Sequence, residues 1–220
     1  MTSYSYNPPI NDKLDIVYND DNLLVVNKPS GLLSVPGRGK DKSDCLISRV
    51  QEKFPDALIV HRLDMSTSGL VLLAIGKDIE RSLSILFQKR KVEKKYIAVV
   101  NGKIEPGYGE IDLPIMTDWP NRPKQKVDYE TGKKSITKYK LISFNHASNK
   151  SRVELLPLTG RTHQLRIHMK SIGHAILGDE LYANKETVKQ AERLLLHACY
   201  LSFQHPVTGK NIEVISEPDF

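Results

Sequence analysis

Cysteine, tryptophan and long apolar runs are all scarce in this chain. Two cysteines, Cys45 and Cys199, stand far apart with no ligand pattern beside them. That argues against a disulfide framework or a zinc finger and suits a reducing cytoplasm. No apolar run approaches the length of a membrane span. Met1 to Ile10 lacks the basic start and apolar core of a secretory signal. There is no glycine-rich phosphate loop of the strand–turn–helix kind and no GxSxG elbow. Gly37-Arg38-Gly39 is only a lone pair of glycines. Repeats and low-complexity linkers are missing too.

What is there is ordinary in bulk. With 220 residues, 40% hydrophobic and 26% charged, the chain suits a soluble enzyme of one large domain or two small ones, with a real core. A net charge of +6 and a pI near 9.1 favour a polyanionic partner.

The stretch that organises the chain is His61-Arg62-Leu63-Asp64-Met65-Ser66-Thr67-Ser68-Gly69, held between the apolar runs 57–60 and 70–75. A carboxylate in such a place needs a reason. A turn aspartate bonding its own backbone is the plain one; a catalytic carboxylate on a rigid loop is the other.

Ahead of it, Ile16–Tyr18 and Leu23–Val26 predict a hairpin, followed by a loop over Asn27–Gly39 too long and apolar for surface filler. Ser43 or Asp44 should cap a helix running to about Phe54, which Pro55 ends. Beyond it, Asp78 opens a helix with Ile79, Leu83, Leu86 and Phe87 inward. Strands are expected at 93–100, 110–113, 137–144 and 152–157. The segment from Thr117 to Lys126 is a basic, proline-stiffened loop holding the only tryptophan. A helix after Gly160–His163 should end at Gly173, and another should span Lys185 to about Leu196. Strands at 197–203 and 211–215 close the chain. The order lacks βαβα regularity, which predicts α+β with a mainly antiparallel sheet.

His163 and His168 are five apart, a spacing that splits them across a helix, and His174 and His197 bring no acidic partner, so no metal site is expected. Asp64 has no second carboxylate in motif context for two-acid hydrolysis. What remains is a single acid, Tyr96 in Lys94-Lys95-Tyr96, and Arg166 in Gln164-Leu165-Arg166. Taken singly, Tyr96 reads as a core aromatic and Arg166 as a solvated helix residue.

Taken together, these segments resemble one family. His61-Arg62-Leu63-Asp64 with Thr67-Ser68-Gly69, Lys95-Tyr96, Gly160–His168 and Leu195-Leu196-His197-Ala198 are similar, in order and spacing, to the RluA family of pseudouridine synthases, from about Ile16 to Phe220. Asn27–Leu32 and Trp119–Gln125 also resemble that family's founding member.

The resemblance implies a pseudouridine synthase catalytic fold: a central mixed, mainly antiparallel sheet flanked by helices, with a basic cleft. It implies an N-terminal arm (1–15) and a single catalytic domain (16–220) with no S4 domain. The activity implied is isomerisation of uridine to pseudouridine in structured RNA, with no cofactor and no metal. Asp64 would act at the ribose, either attacking C1′ or removing the 2′ proton to give a glycal. Tyr96 would stack on the uracil, and Arg166 would pair with Asp64 and hold it ionised.

Arg62 would wedge into the space left by the flipped base, and Leu196 would wall the base pocket. Lys28, Arg122, Lys124, Lys126 and Arg161 would contact RNA, largely at phosphates. The implied substrates are 23S rRNA and tRNA anticodon stem-loops, met by a cytoplasmic monomer. Two rivals stand: a catalytically silent RNA-binding or remodelling module on the same fold, and a metal-dependent hydrolase using the histidines.

Overall fold

The computed structural model describes residues 6–10 and 14–220. In chain order it contains β1 (Asp15–Asn19), β2 (Leu23–Lys28), α1 (Leu46–Gln51), β3 (Ala57–Ile59), β4 (Ser68–Ile75), α2 (Lys77–Gln88) and β5 (Glu93–Asn101). There follow β6 (Tyr108–Asp112), β7 (Ile115–Thr117), β8 (Gln125–Val127), β9 (Ile136–Asn145), β10 (Lys150–Pro157), α3 (Gln164–Ser171), α4 (Lys185–Val188), β11 (Leu196–Gln204) and β12 (Asn211–Ile215). Few helices and many strands make this the α+β class expected, and every strand pair whose register is resolved is antiparallel.

Two compact units form, Met1–Glu93 with Ala198–Pro218, and Lys94–His197 with Asp219–Phe220. In the first, the strand order is β1-β2-β4-β11, with β3 on β4 and β12 on β11. Its core gathers Leu23, Val25, Leu70, Leu72, Ala74, Leu83, Leu201 and Phe203. Ile79, Leu86 and Phe87 of α2 pack against that core, as their helical spacing requires. Each fully buried leucine, valine or phenylalanine of the core contributes about 1.5–3 kcal/mol. Gly69, just after the Asp64 loop, has φ of +114°, and a Cβ there would sit 2.3 Å from the carbonyl oxygen of Ala198. Only glycine lets β4 run that close to the neighbouring backbone.

The second unit orders its strands β5-β10-β9-β6, with β7-β8 as a separate hairpin. Ala98, Val100, Val153, Leu155, Leu165, Met169 and Ile176 form its core.

Some expectations shift. Of the expected arm, residues 1–5 and 11–13 lie outside the described residues, while the Tyr6 hydroxyl donates to the Asp44 carbonyl and accepts from the Leu33 amide. The first helix is capped by Cys45, in a reciprocal box with Ser48, rather than by Ser43 or Asp44. Asp44 instead grips Arg49 through both carboxylate oxygens at 2.7 Å.

The helix expected over Lys185 to Leu196 stops at Val188. The backbone beyond it is drawn into other pairings: the Leu195 amide donates to the Leu177 carbonyl, and its own carbonyl accepts from Val99. Long-range ladder bonds at Leu195 take priority over helix propensity there. The basic segment 117–126, read as a loop, is the turn of hairpin β7–β8 together with Thr117, Gln125 and Lys126 of its paired strands.

Candidate active site

Asp64 is half-buried, Arg62 beside it is exposed, and Leu63 is buried. The segment 28–34 clasps their backbone from outside the loop. Ser34 Oγ donates to the Leu63 carbonyl at 2.9 Å and accepts from the Leu63 amide at 3.2 Å. The Gly31 amide reaches the Met65 carbonyl at 2.8 Å, and Ser30 Oγ reaches the Ser66 carbonyl at 2.7 Å. The long Asn27–Gly39 loop is apolar because Leu32 is buried under this clasp. Inside the Asp64 turn, the Thr67 amide donates to the Asp64 carbonyl at 3.1 Å.

Lys28 is the centre of the clasp and corrects its expected role. Its side chain is fully buried, and Nζ donates to the carbonyls of Pro29 at 2.9 Å, Leu32 at 2.7 Å and Met65 at 3.0 Å. An ammonium committed to three oxygens under a loop does not reach an RNA phosphate. Burial draws its pKa down from 10.5 to about 7, and the Asp64 carboxylate opposes the fall. The three carbonyls side with Asp64, because a neutral amine has two donors and would turn a lone pair on the third oxygen.

Two measurable consequences follow for Lys28. A lysine pKa lowered on folding leaves the extra proton on the unfolded chain, so stability rises with pH between the folded value and 10.5. The slope reaches at most about 1.4 kcal/mol per pH unit. Lys28→Met should lose that slope and, by stranding three buried carbonyls, destabilise the fold by about 3 kcal/mol. Denaturant melts of both proteins across that pH range check both; parallel curves of equal midpoint would contradict the clasp.

The histidines are occupied structurally. His61 Nε2 accepts from the Leu72 amide at 2.9 Å, and its ring stacks on Phe87 at 4.6 Å. His168 is fully buried between Thr137 Oγ1 and the Leu113 carbonyl; burial lowers its pKa. Among the described residues, no three His, Cys, Asp or Glu side chains come together as metal ligands.

The remaining candidates lie in the second unit. Tyr96 on β5 is half-buried beside its core, in register with Leu155. Leu196 is a core member, 3% exposed. Arg166 on α3 is equally buried, not solvated, and forks onto Asp179: Nε to Oδ2 at 2.8 Å and Nη2 to Oδ1 at 2.7 Å. Asp179 Oδ1 also accepts the amides of Leu181 and Tyr182, at 3.1 and 3.2 Å, and the Arg166 guanidinium lies 5.1 Å from the Tyr182 ring centre.

Asp179 is the residue that motif reading missed. Its signal is an aspartate one glycine after the buried pair Ile176-Leu177, where a carboxylate needs a cation. Tyr182 was missed as well. Its hydroxyl accepts from the Gln125 amide at 2.8 Å and lies 2.6 Å from His163 Nδ1, tying hairpin β7–β8 to the start of α3. Arg122, Lys126 and Arg161 are exposed and Lys124 is half-buried.

This arrangement has relatives. A family model for RNA pseudouridylate synthase matches residues 22–171. Over all 220 residues of both chains, the protein is 50% identical to the dual-specificity RNA pseudouridine synthase RluA of Escherichia coli strain K12. It is 46% identical to the RluA of Haemophilus influenzae, again across both whole chains. Among solved structures it is similar to human RNA pseudouridylate synthase domain containing 1, with a TM-score of 0.80 and 31% identity over 97% of this chain and 87% of that one. The chain therefore belongs to the RNA pseudouridylate synthases, in the RluA family, and is an isomerase that converts uridine in RNA to pseudouridine.

Proposed function

We propose that Asp64 is the carboxylate that acts at the ribose of the target uridine, and that residues 16–220 work as one catalytic domain. The observation that supports this is the Asp64 loop itself: a half-buried carboxylate whose backbone is pinned on both sides by Ser34, Ser30, Gly31 and Lys28. Rigid support of that kind is what a reacting group needs. The C1′–N1 bond breaks, the uracil turns in the pocket, C5 joins C1′, and the proton lost from C5 is balanced by one gained at N1, so the product is an isomer. Tyr96 stacks on the freed base, Leu196 lines the base pocket, and Arg166, already forked onto Asp179, supplies the reaction's cation.

The substrates in this reading are 23S rRNA and the anticodon stem-loops of some tRNAs. Full-length identity to relatives named dual-specificity synthases favours two RNA classes. Arg122, Lys124, Lys126 and Arg161 supply the cationic contacts. In this reading the enzyme works as a cytoplasmic monomer without metal or cofactor.

Purified protein incubated with a fragment of 23S rRNA and with an anticodon stem-loop should form pseudouridine in each. Conversion of only one class would remove the dual specificity. Arg62 sharpens the assay. Exposed beside Asp64, it fills the gap left by the flipped base, which costs a few kcal/mol to unstack. Arg62→Ala should therefore lower kcat/KM more on a folded stem-loop than on an RNA whose uridine is already unstacked. Equal losses on the two would take Arg62 out of flipping.

A further inference from the structure

Trp119, the chain's single tryptophan, stands 61% exposed in the turn of hairpin β7–β8. Large aromatics are usually buried, since each offers 150–250 Å² of apolar surface. Looseness does not explain the exposure, because the turn is tightly bonded. Residues Trp119–Asn121 form a short 3-10 helix. The Asp118 amide donates to the Lys124 carbonyl, Asn121 to Asp118, and Lys124 to Asn121, each at 3.0 Å. Asn121 Nδ2 adds a bond to the Asp118 carboxylate at 2.9 Å, and Pro120 and Pro123 fix their own φ. At the base of the turn, the Gln125 amide is held by the Tyr182 hydroxyl.

One face of the indole is covered: the Arg122 guanidinium carbon lies 3.6 Å from the ring centre. That is cation–π contact. With Arg122 on one face, the rest of the ring is left to carry the 61% exposure. In the same turn and its flanking strand, Arg122 and Lys124 have no carboxylate partner among the described residues, whereas Asp118 is bonded to Asn121 and Asp128 pairs with Lys126. The unanswered charge at the tip is therefore positive. Its neighbours in sequence are Pro120, Asn121, Arg122 and Pro123, not the apolar residues that surround a protein-interface anchor.

We propose that Trp119, backed by Arg122, is a stacking platform for an unpaired base of the RNA substrate. This rests on the RNA-modifying reading of the site and adds a contact to it. Arg122 then serves the indole as well as the cationic contacts: its charge deepens the attraction of the stack for the polyanion. Every base has a π face, so the platform accepts different loop sequences, as a synthase with more than one substrate class requires.

The single tryptophan makes the test direct. Full-length protein is titrated with a stem-loop RNA while indole emission is followed, excited where tyrosine does not absorb. Binding affinity and pseudouridine formation are measured in parallel for wild type, Trp119→Phe and Trp119→Ala. Emission should be quenched along the same curve as binding. Trp119→Ala should weaken Kd by roughly 5- to 150-fold, and Trp119→Phe should retain most of the affinity. The Trp119→Ala deficit should persist at high salt, because stacking releases no counterions, while the deficit of Lys124→Ala should shrink.

Unchanged emission at saturating RNA, or a Trp119→Ala Kd equal to wild type, would overturn the platform while leaving the enzyme reading intact. Emission moved only by an intact ribosomal particle, and not by protein-free RNA, would assign the face to a protein and overturn it too. Failure of the wild type to form pseudouridine would strike the underlying reading instead.

Discussion

Replacing Asp64 by asparagine is expected to abolish pseudouridine formation while leaving the protein folded and able to bind RNA. Asparagine has the same shape, so the Thr67 turn and the Ser34, Gly31 and Ser30 bonds to neighbouring backbone are kept. The amide can neither attack C1′ nor take the 2′ proton. Loss of a group that bonds to or deprotonates the reacting sugar costs at least about 10³-fold. Binding should be unchanged or tighter, since one negative charge facing a polyanion is gone. The one structural cost is at Lys28, which loses the carboxylate that supports its charge. A gel-shift Kd and a single-turnover assay on the same preparation separate the two effects. Turnover by pure Asp64→Asn would dismiss the carboxylate, and lost turnover together with lost binding would point to a damaged loop.

The second large effect concerns Arg166 and Asp179, a buried fork at 2.7 and 2.8 Å. Removing either partner strands the other charge in the core, so Arg166→Met and Asp179→Leu should each destabilise by about 3–5 kcal/mol. Replacing both by apolar residues removes the stranded charge and should restore most of the stability. Activity should not return with it. Because Arg166 is also proposed as the cation of the reaction, the double variant should stay at least about 100-fold slower than wild type. Arg166→Lys keeps the charge but loses the planar fork, so it should recover part of the rate. Thermal melts paired with single-turnover rates distinguish the roles. A double variant that regains both stability and rate would reduce Arg166 to a structural residue.

How much of this could be read in the chain follows from the range of the forces involved. The β1–β2 hairpin, α2 and the buried strand β4 come from local periodicity, and a single sequence shows that well. The Asp64 loop was visible for a related reason, a polar turn set between apolar runs. Its clasp was not, because Lys28 and Met65 meet only through folding and a lysine in a Lys-Pro dipeptide looks like any surface cation.

Arg166 illustrates the same limit. Its helix was readable, yet its burial depends on Asp179, thirteen residues on, which no periodicity marks. The helix forecast to Leu196 failed because ladder bonds from Val99 and Leu177 claim Leu195. Trp119 was conspicuous in the sequence, but only the stacked Arg122 shows which face is left open.

The most direct test of the whole account is to map pseudouridine at single-nucleotide resolution in cellular RNA from strains with this gene, without it, and with Asp64→Asn in its place. Discrete uridines in 23S rRNA and in tRNA anticodon loops should be modified only when the wild-type protein is present. RNA modified identically in all three strains, or restored by Asp64→Asn, would contradict the claim that this chain isomerises uridine through Asp64.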